Sequence, residues 1–233
     1  IDMKNIAFLI AVLVGAQAHS LSAQTYDQLS VQLQFLNQYG KAYQRGSLAP
    51  KYVGSEYYND EWMPMDIKFK DSLLRFDAVK INLINSNLEV FYQGEEKVIA
   101  GFFFQYVLIP EGGKNRLLVP ANFFNYNGKP LTGFVEVFGT GDTKVLAQHY
   151  IYIKEPHAQA HITGGFTMDR LMKTSDNFIY EGGKLTLVKK KKDLQDYYRR
   201  RSSGFDRYFK ENNPNIKDPQ QLLVLAEFMA PKG

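Results

Sequence analysis

Two histidines in this sequence have a spacing that could bind a metal. His157 and His161 are four residues apart, with Glu155 nearby. On a helix, this spacing places two ligands on one face. Pro156 and the glycine pair at residues 164–165 argue against a long helix, and no third ligand is evident. We therefore treat both histidines as weak metal candidates and favour an exposed loop; no cofactor is expected.

A second group of residues combines carboxylates with aromatic rings early in the chain. The group consists of Glu56, Asp60 and Glu61 with Tyr57, Tyr58 and Trp62. Paired carboxylates could act as acid and base in a carbohydrate hydrolase, and the rings could stack on a sugar. The alternative, which we favour, is a polar extension whose rings fasten it to the rest of the fold.

The strongest charge feature is a basic tail. Between Lys184 and Lys210 there are ten Lys or Arg residues against three Asp residues. Its two densest runs are Lys189, Lys190, Lys191 and Lys192, and then Arg199, Arg200 and Arg201. Aromatic residues are interleaved with these basic ones, a combination that could hold nucleic acid.

Three interpretations of this tail stay open. The favoured one is a solvated face whose aromatic side chains pack on a sheet. The second is contact with an anionic lipid, lipopolysaccharide or an acidic protein surface. Nucleic acid is not expected, because the chain also carries an export signal.

Other catalytic patterns are missing from the sequence. The chain has no cysteine, which excludes disulfides, thiol catalysis and thiolate metal sites. It has no G-x-S-x-G turn, and residues 139–142 (GTGD) are typical of a hairpin turn rather than of a phosphate-binding loop. The net charge of +4 alone indicates no particular partner.

The N-terminus has the pattern of a secretory signal peptide. Lys4 precedes the apolar run of residues 6–14, and small residues follow, with cleavage expected after Ala18 or Ala23. We expect residues 1–23 to be this signal and the protein to be periplasmic or extracellular. Residues 24–54 are expected to form a helix over 26–39 and a linker.

The elements that must position these side chains are mainly strands. Alternating or apolar runs predict strands at residues 65–69, 75–82, 88–92, 98–109, 115–119, 131–138 and 144–153, with a further pair at 177–181 and 184–188. Short Gly-, Asn- or Asp-containing turns separate them, which favours an antiparallel meander. Residues 98–109 (VIAGFFFQYVLI) are predicted as one central strand, buried on both faces.

Further helices are predicted after this sheet. The pattern indicates helices at residues 193–201 and 203–212, and a last one that begins at Asp218-Pro219 and ends near Met229. The fold expected is α+β: a curved, half-barrel-like antiparallel β-meander of about seven to nine strands with short C-terminal helices. The β domain covers residues 55–188 and the basic helical subdomain residues 189–233.

Two segments resemble a group of uncharacterised exported proteins of Bacteroidota. The first is GSEYYNDEW at residues 54–62, followed by a strand pair and AVKINLINSNLEV. The second is the tail, with a Gly-Lys hairpin, the KKKDL run and FKEN. Glu56 departs from the group, which favours proline there. The resemblance implies an exported β-meander with a helical tail, and it transfers no active residue.

These observations favour an exported, non-enzymatic binding or envelope-associated protein. The first alternative is a periplasmic carrier whose curled sheet holds a lipid or another small hydrophobe. The second alternative is a carbohydrate-active hydrolase. A carrier needs a deep apolar cavity, and a hydrolase needs convergent carboxylates in a cleft.

Overall fold

The computed structural model describes residues 40–42, 52–155, 168–198 and 204–230. Its strands are β1 Gly40–Ala42, β2 Tyr52–Val53, β3 Met63–Lys68, β4 Leu73–Asn82, β5 Asn87–Tyr92, β6 Glu95–Ile99, β7 Tyr106–Glu111, β8 Lys114–Pro120, β9 Asn125–Tyr126, β10 Lys129–Pro130, β11 Phe134–Phe138, β12 Lys144–Lys154, β13 Asp169–Glu181 and β14 Lys184–Val188. Three helices follow, α1 Lys191–Tyr198, α2 Phe205–Asn212 and α3 Pro219–Met229. The expected α+β class, with a large sheet and short C-terminal helices, is confirmed.

Most strands join one twelve-stranded sheet in the order β1-β6-β5-β4-β3-β7-β8-β11-β12-β13-β14, with β2 beside β13. The expected seven to nine strands were too few, because short strands at Gly40–Ala42 and Tyr52–Val53 also join and because residues 98–109 contribute to two strands, β6 and β7, instead of one. The simple antiparallel meander was also wrong. The chain jumps from β6 to β7, which pairs with β3, and β2 pairs with β13 in parallel.

The sheet is open but strongly curled. Four inter-strand steps separate β4 from β11, which would be roughly 19 Å in a flat sheet. Yet Ser86, in the turn after β4, accepts a hydrogen bond through its Oγ from the Gly133 backbone N–H next to β11, at 3.2 Å. The turn after β4 therefore folds back over the middle of the sheet.

Residues 98–109 do not form one strand. β6 ends at Ile99 and β7 begins at Tyr106, with a turn between them. Phe102 is 70% exposed, whereas Phe104 is buried and stacks on Phe134 with a centroid distance of 6.2 Å. The turn is fixed by Gly101, where a Cβ atom would lie 2.4 Å from the Ser86 carbonyl oxygen. A close backbone contact thus overrides the strand preference of three phenylalanines.

Three hydrophobic clusters hold the fold together. The first fills the concave side of the curl and includes Ile67, Phe76, Leu118 and Phe134. The second lies between the C-terminal helices and β12–β14, and the third lies under the 3₁₀ turn Ala121–Phe123 and the β9–β10 hairpin. The helices therefore cover the sheet rather than stand apart from it.

Several expectations lie outside the described residues: the signal peptide, the helix at 26–39, His157, His161, Arg199, Arg200 and Arg201. Within the described part of the chain, no helix has both the length and the apolar character needed to cross a membrane.

Candidate functional site

The four lysines Lys189, Lys190, Lys191 and Lys192, here called the lysine surface, lie where β14 passes into α1. All four are exposed. Asp193 fixes the backbone beneath them, because its Oδ2 accepts hydrogen bonds from the backbone N–H groups of Lys189 and Lys190, both at 2.9 Å. This is the helix-capping interaction of an acidic side chain in the first turn. It presents the ammonium groups from an ordered backbone.

The aromatic residues of the tail are used for packing. Tyr198, Phe205 and Phe209 are buried in the cluster that joins the helices to β12–β14. The Phe205 and Phe209 rings are 5.4 Å apart, and Lys191 Nζ lies 4.3 Å from the Phe209 ring centroid. These rings are therefore not available as stacking surfaces for bases, which nucleic-acid binding of this type requires.

A polar pocket of about 460 Å³ adjoins the lysine surface. We call it the β13 pocket; it is lined by Thr174, Ser175, Asp176, Asn177, Val188, Lys189 and Lys217. It lies at the edge of β13, between the part that pairs with β2 and the part that pairs with β14. Among the described strands, none pairs with residues 171–176 on this side.

Asn177 is one of the residues that line this pocket, and it is 6% exposed. Its Nδ2 donates to the backbone carbonyls of Ile216 and Lys217, both at 3.1 Å. Because carbonyls only accept, these two bonds fix the orientation of the amide. Its Oδ1 is buried and has no hydrogen-bond partner among the described residues.

Asp176 supplies a carboxylate beside Asn177. Its Oδ2 accepts a hydrogen bond from the Tyr150 hydroxyl at 3.1 Å and lies 3.6 Å from Lys189 Nζ. The lining of the pocket thus includes two lysines, Lys189 and Lys217, and the carboxylate of Asp176.

The early carboxylates lie in residues 52–61, a segment that we call the strap. The strap crosses from β13 to β4: Tyr52 pairs with Asp169, and the Tyr58 N–H donates to the Ile81 carbonyl at 2.8 Å. Glu56 and Asp60 line a shallow pocket of about 470 Å³, and Glu61 is exposed beside it.

Asp60 is held as a structural anion. It accepts a hydrogen bond from Ser55 and another from Lys173, at 2.9 Å. These two hydrogen bonds lower the pKa of the Asp60 carboxyl. A general acid needs the opposite shift, so Asp60 is poorly suited to that role in a hydrolase.

The rings near the strap are partly exposed. Trp62 lies 6.1 Å from Phe91, and Lys80 Nζ lies 4.9 Å from the Trp62 ring centroid and 5.0 Å from that of Tyr57. Tyr57 also donates its hydroxyl proton to Glu89, at 2.7 Å. Burial raises the pKa of Glu89, but this carboxyl is only 1% exposed and lies beneath Tyr57. The aromatic residues therefore do fasten the strap to the sheet.

Sequence reasoning missed an ion cluster that surrounds the buried Glu136 and also includes Tyr58, Arg116 and His149. Arg116 donates to both Glu136 oxygens, at 2.7 and 2.6 Å, and also to the Tyr58 hydroxyl. His149 Nε2 lies 3.1 Å from Glu136 Oε2. The partners come from the strap, β8, β11 and β12 and are far apart in sequence, so only strand order could have revealed them.

The charges in this cluster are mutually stabilised. Burial alone would raise the pKa of Glu136, but hydrogen bonds from Arg116 and His149 outweigh it and lower the pKa. Burial, together with the Glu136 carboxylate, raises the pKa of Tyr58 to about 12. Glu136 therefore stays ionised and Tyr58 stays protonated, as expected for a structural anchor of the strap.

No group of three or more acidic or histidine side chains suited to a metal occurs among the described residues. The comparisons with known proteins add no family assignment. No protein-family model, curated protein or solved structure matches this chain.

Proposed function

We propose that this protein is an exported, non-enzymatic binding protein that attaches to anionic surfaces through the lysine surface. The observation that carries the proposal is the set of four exposed lysines on a capped backbone, next to a pocket that contains Lys217. Each lysine close to an anionic membrane contributes about 1 kcal/mol to binding. Export to the periplasm or outside the cell would bring this surface to lipid headgroups and lipopolysaccharide.

The carrier alternative has less support. It requires an apolar cavity inside the curl, but the concave side of the sheet is filled by buried side chains such as Phe69, Phe104 and Phe134. The two described pockets of substantial volume are lined mainly by polar residues and lie outside this core.

The hydrolase alternative is also less well supported. The strap carboxylate with a shifted pKa, Asp60, is bound to Lys173 and Ser55, and the nearby Glu89 is buried beneath Tyr57. No pair of accessible carboxylates with opposed pKa shifts faces either described pocket.

Vesicle sedimentation tests the binding proposal. The triple variant Lys190→Gln, Lys191→Gln and Lys192→Gln should bind vesicles of phosphatidylglycerol and phosphatidylcholine roughly a hundredfold more weakly than the wild-type protein, at about 1 kcal/mol per lysine. Binding of the wild type should also weaken as sodium chloride is raised, because salt screens exposed charges.

The matched control changes three exposed lysines elsewhere, Lys70→Gln, Lys114→Gln and Lys129→Gln. This control loses the same charge and should keep most of the affinity. Equal losses in the two variants would mean that only net charge matters and would refute a defined surface. Wild-type protein that stays in the supernatant with anionic vesicles would refute the function itself.

A further inference from the structure

We propose that the open part of the β13 edge binds an extended peptide segment of another protein as an added strand. This part, residues 171–176, lies between the stretch of β13 that pairs with β2 and the stretch that pairs with β14. The proposal goes beyond the proposed function and does not depend on it, because it concerns recognition of a peptide backbone and not attraction to an anionic surface.

The register of the β13–β14 hairpin shows which backbone groups of this edge face outward. Glu181 and Lys184 flank its two-residue turn, and residues in that position exchange both of their backbone hydrogen bonds. Backbone groups alternate between the two sides of a strand, so those of Lys173 and Ser175 point to the same side as those of Glu181, away from β12. Both residues are exposed. Their two backbone N–H and two C=O groups have no hydrogen-bond partner among the described residues.

The β13 pocket lies beside this edge and not on one face of the sheet. It is lined by four consecutive residues, Thr174–Asn177, whose side chains alternate between the two faces. A single pocket reaches both faces only beside the strand, and this one also touches Val188, the last residue of β14. The space therefore lies in line with β14, where a further strand segment would pair with β13.

The length of the opening sets the length of the segment. The stretch of β13 that pairs with β2 ends at Arg170, and the stretch that pairs with β14 begins at Asn177. At about 3.3 Å per residue, the opening between them is roughly 20 Å long. Gly54, which follows β2, takes up the first position, because a Cβ atom there would lie 2.7 Å from the Leu171 carbonyl oxygen. The rest of the opening fits a segment of about five residues.

The strands on either side of the opening determine what can enter it. Unpaired strand edges pair readily with other chains, and a second copy of this protein is one candidate. However, β13 is 13 residues long, so β13 of a second copy would overlap both β2 and β14. A short linear segment, such as a chain terminus or an extended loop of another protein, fits between them. Strand addition of this kind gains its affinity mainly from main-chain hydrogen bonds.

The charge next to β14 favours an acidic residue in the segment. Lys217 lines the β13 pocket, is exposed and has no ion-pair partner among the described residues. Lys189, by contrast, already lies 3.6 Å from the Asp176 carboxylate. An acidic side chain at the end of the segment next to β14 would pair with Lys217. Such an exposed pair adds little affinity, so it mainly selects the sequence of the segment.

Fluorescence anisotropy with two labelled, end-capped peptides tests the proposal. The peptides are Asp-Thr-Val-Thr-Val-Thr and Thr-Val-Thr-Val-Thr-Asp, so that the acidic residue can reach Lys217 in either strand direction. We expect at least one of them to bind. Its version methylated on every backbone nitrogen should bind at least tenfold more weakly, because methylation removes the donors of the added strand. No binding of either peptide up to about 1 mM, or equal binding of the methylated version, would overturn the proposal.

Proline substitutions test the open edge itself. Ser175→Pro removes an outward N–H group and should weaken peptide binding at least tenfold, whereas Ser175→Ala keeps this group and should leave the affinity unchanged. Thr174→Pro is the folding control. Its N–H group faces β12, so it should lower the melting temperature by roughly 6–12 °C, against roughly 3 °C at most for Ser175→Pro. Equal losses in the two proline variants, or full peptide binding by Ser175→Pro, would refute an open edge.

Lysine variants test the acidic residue and separate the two proposals. Lys217→Gln should weaken peptide binding about threefold, and Lys192→Gln, outside the pocket, should not change it. Equal affinities in these two variants would refute the selection of an acidic residue. The triple variant Lys190→Gln, Lys191→Gln and Lys192→Gln should lose vesicle binding but keep peptide binding. Loss of both in this variant would overturn the peptide site. Wild-type protein that binds the peptide but no anionic vesicles would support the peptide site and refute the proposed function alone.

Discussion

Glu136 is the side chain on which this ion cluster depends. It is almost fully buried and accepts hydrogen bonds from Arg116 on β8 and from His149 on β12, and the same arginine also reaches Tyr58 in the strap. Removing one partner of a buried charged pair leaves the other charge without compensation. The loss in the free energy of unfolding is then larger than the net contribution of the intact pair. The cluster thus links the strap to the middle of the sheet.

Glu136→Gln should lower the free energy of unfolding by about 3 kcal/mol at pH 7. Because the pKa of Glu136 is lowered in the folded state, its ionised form stabilises the protein above the unfolded pKa, about 4.3. That stabilisation is lost as the pH falls through the folded-state pKa. The difference between variant and wild type should therefore shrink in acid, as measured by urea unfolding from pH 7 to pH 3.

Lys173→Gln is the matched control, because the Lys173–Asp60 pair is exposed. Exposed ion pairs contribute between about 0 and 1 kcal/mol. A difference between Glu136→Gln and wild type that does not change with pH would contradict the assigned role. A loss of free energy of unfolding in Lys173→Gln as large as that in Glu136→Gln would also contradict this role.

The connection between β6 and β7 is the element that sets the topology of the sheet. It carries the chain from near the edge of the sheet to its middle, and Gly101 allows it to pass over the turn after β4. The same turn, through Ser86, also contacts Gly133 next to β11. One turn therefore holds two distant parts of the sheet in place.

Gly101→Ala should destabilise the fold by about 1–3 kcal/mol, because its Cβ would lie 2.4 Å from the Ser86 carbonyl oxygen and 3.7 Å from Pro120 Cβ. Gly141→Ala is the control: nothing lies within 4 Å of its added Cβ, so the change should stay within about 0.5 kcal/mol. Thermal unfolding of the two variants compares them directly. Equal melting temperatures of the two variants would show that the turn after β4 can shift without destabilising the fold.

How much the sequence could predict differs between elements. The pattern of alternating residues correctly predicted β12. The pair Asp218-Pro219 correctly predicted the start of α3, where the Asp218 side chain accepts hydrogen bonds from the Gln220 and Gln221 N–H groups. These signals are local. The break at Gly101 was missed because it depends on a contact with Ser86, and the strands on either side of it pair elsewhere.

The candidate site could be predicted only in part for the same reason. A run of four lysines is visible in any sequence, and the exposure of Lys189–Lys192 follows from their charge. The role of Asn177 depends on the carbonyls of Ile216 and Lys217, some 40 residues later in the chain. Local patterns carry no information about such a pairing.

On the scale of the whole molecule, sheet and helices share one hydrophobic cluster. Leu222, Leu225 and Met229 of α3 share a cluster with Val145, Ile179 and Val188 of the sheet. The predicted division after residue 188 separates strands from helices, but residues on both sides of it belong to this cluster. Separating the helices would expose the apolar side chains of β12–β14 to water.

Two probes can test this coupling, because Trp62 is the single tryptophan and lies next to the strap. Its fluorescence reports on the strap, and circular dichroism at 222 nm reports largely on the helices. Leu222→Ala should lower the free energy of unfolding by about 2–5 kcal/mol, and the unfolding transitions followed by fluorescence and by circular dichroism should coincide. The exposed Val224→Ala in the same helix should change it by no more than about 0.5 kcal/mol. Separate transitions would show two independent units.

The strap has a consequence for the order in which the chain folds. Most strand pairs here are hairpins between neighbours in the sequence, and such pairs form within microseconds. Tyr52 and Val53, by contrast, pair with Asp169 and Arg170, and Tyr58 needs both β4 and the Arg116 cluster in place. Closing so long a loop reduces the conformational entropy of the chain, and this loss comes before the contacts that compensate for it. We therefore expect the strap to dock late in folding, after β4 and the Arg116 cluster have formed.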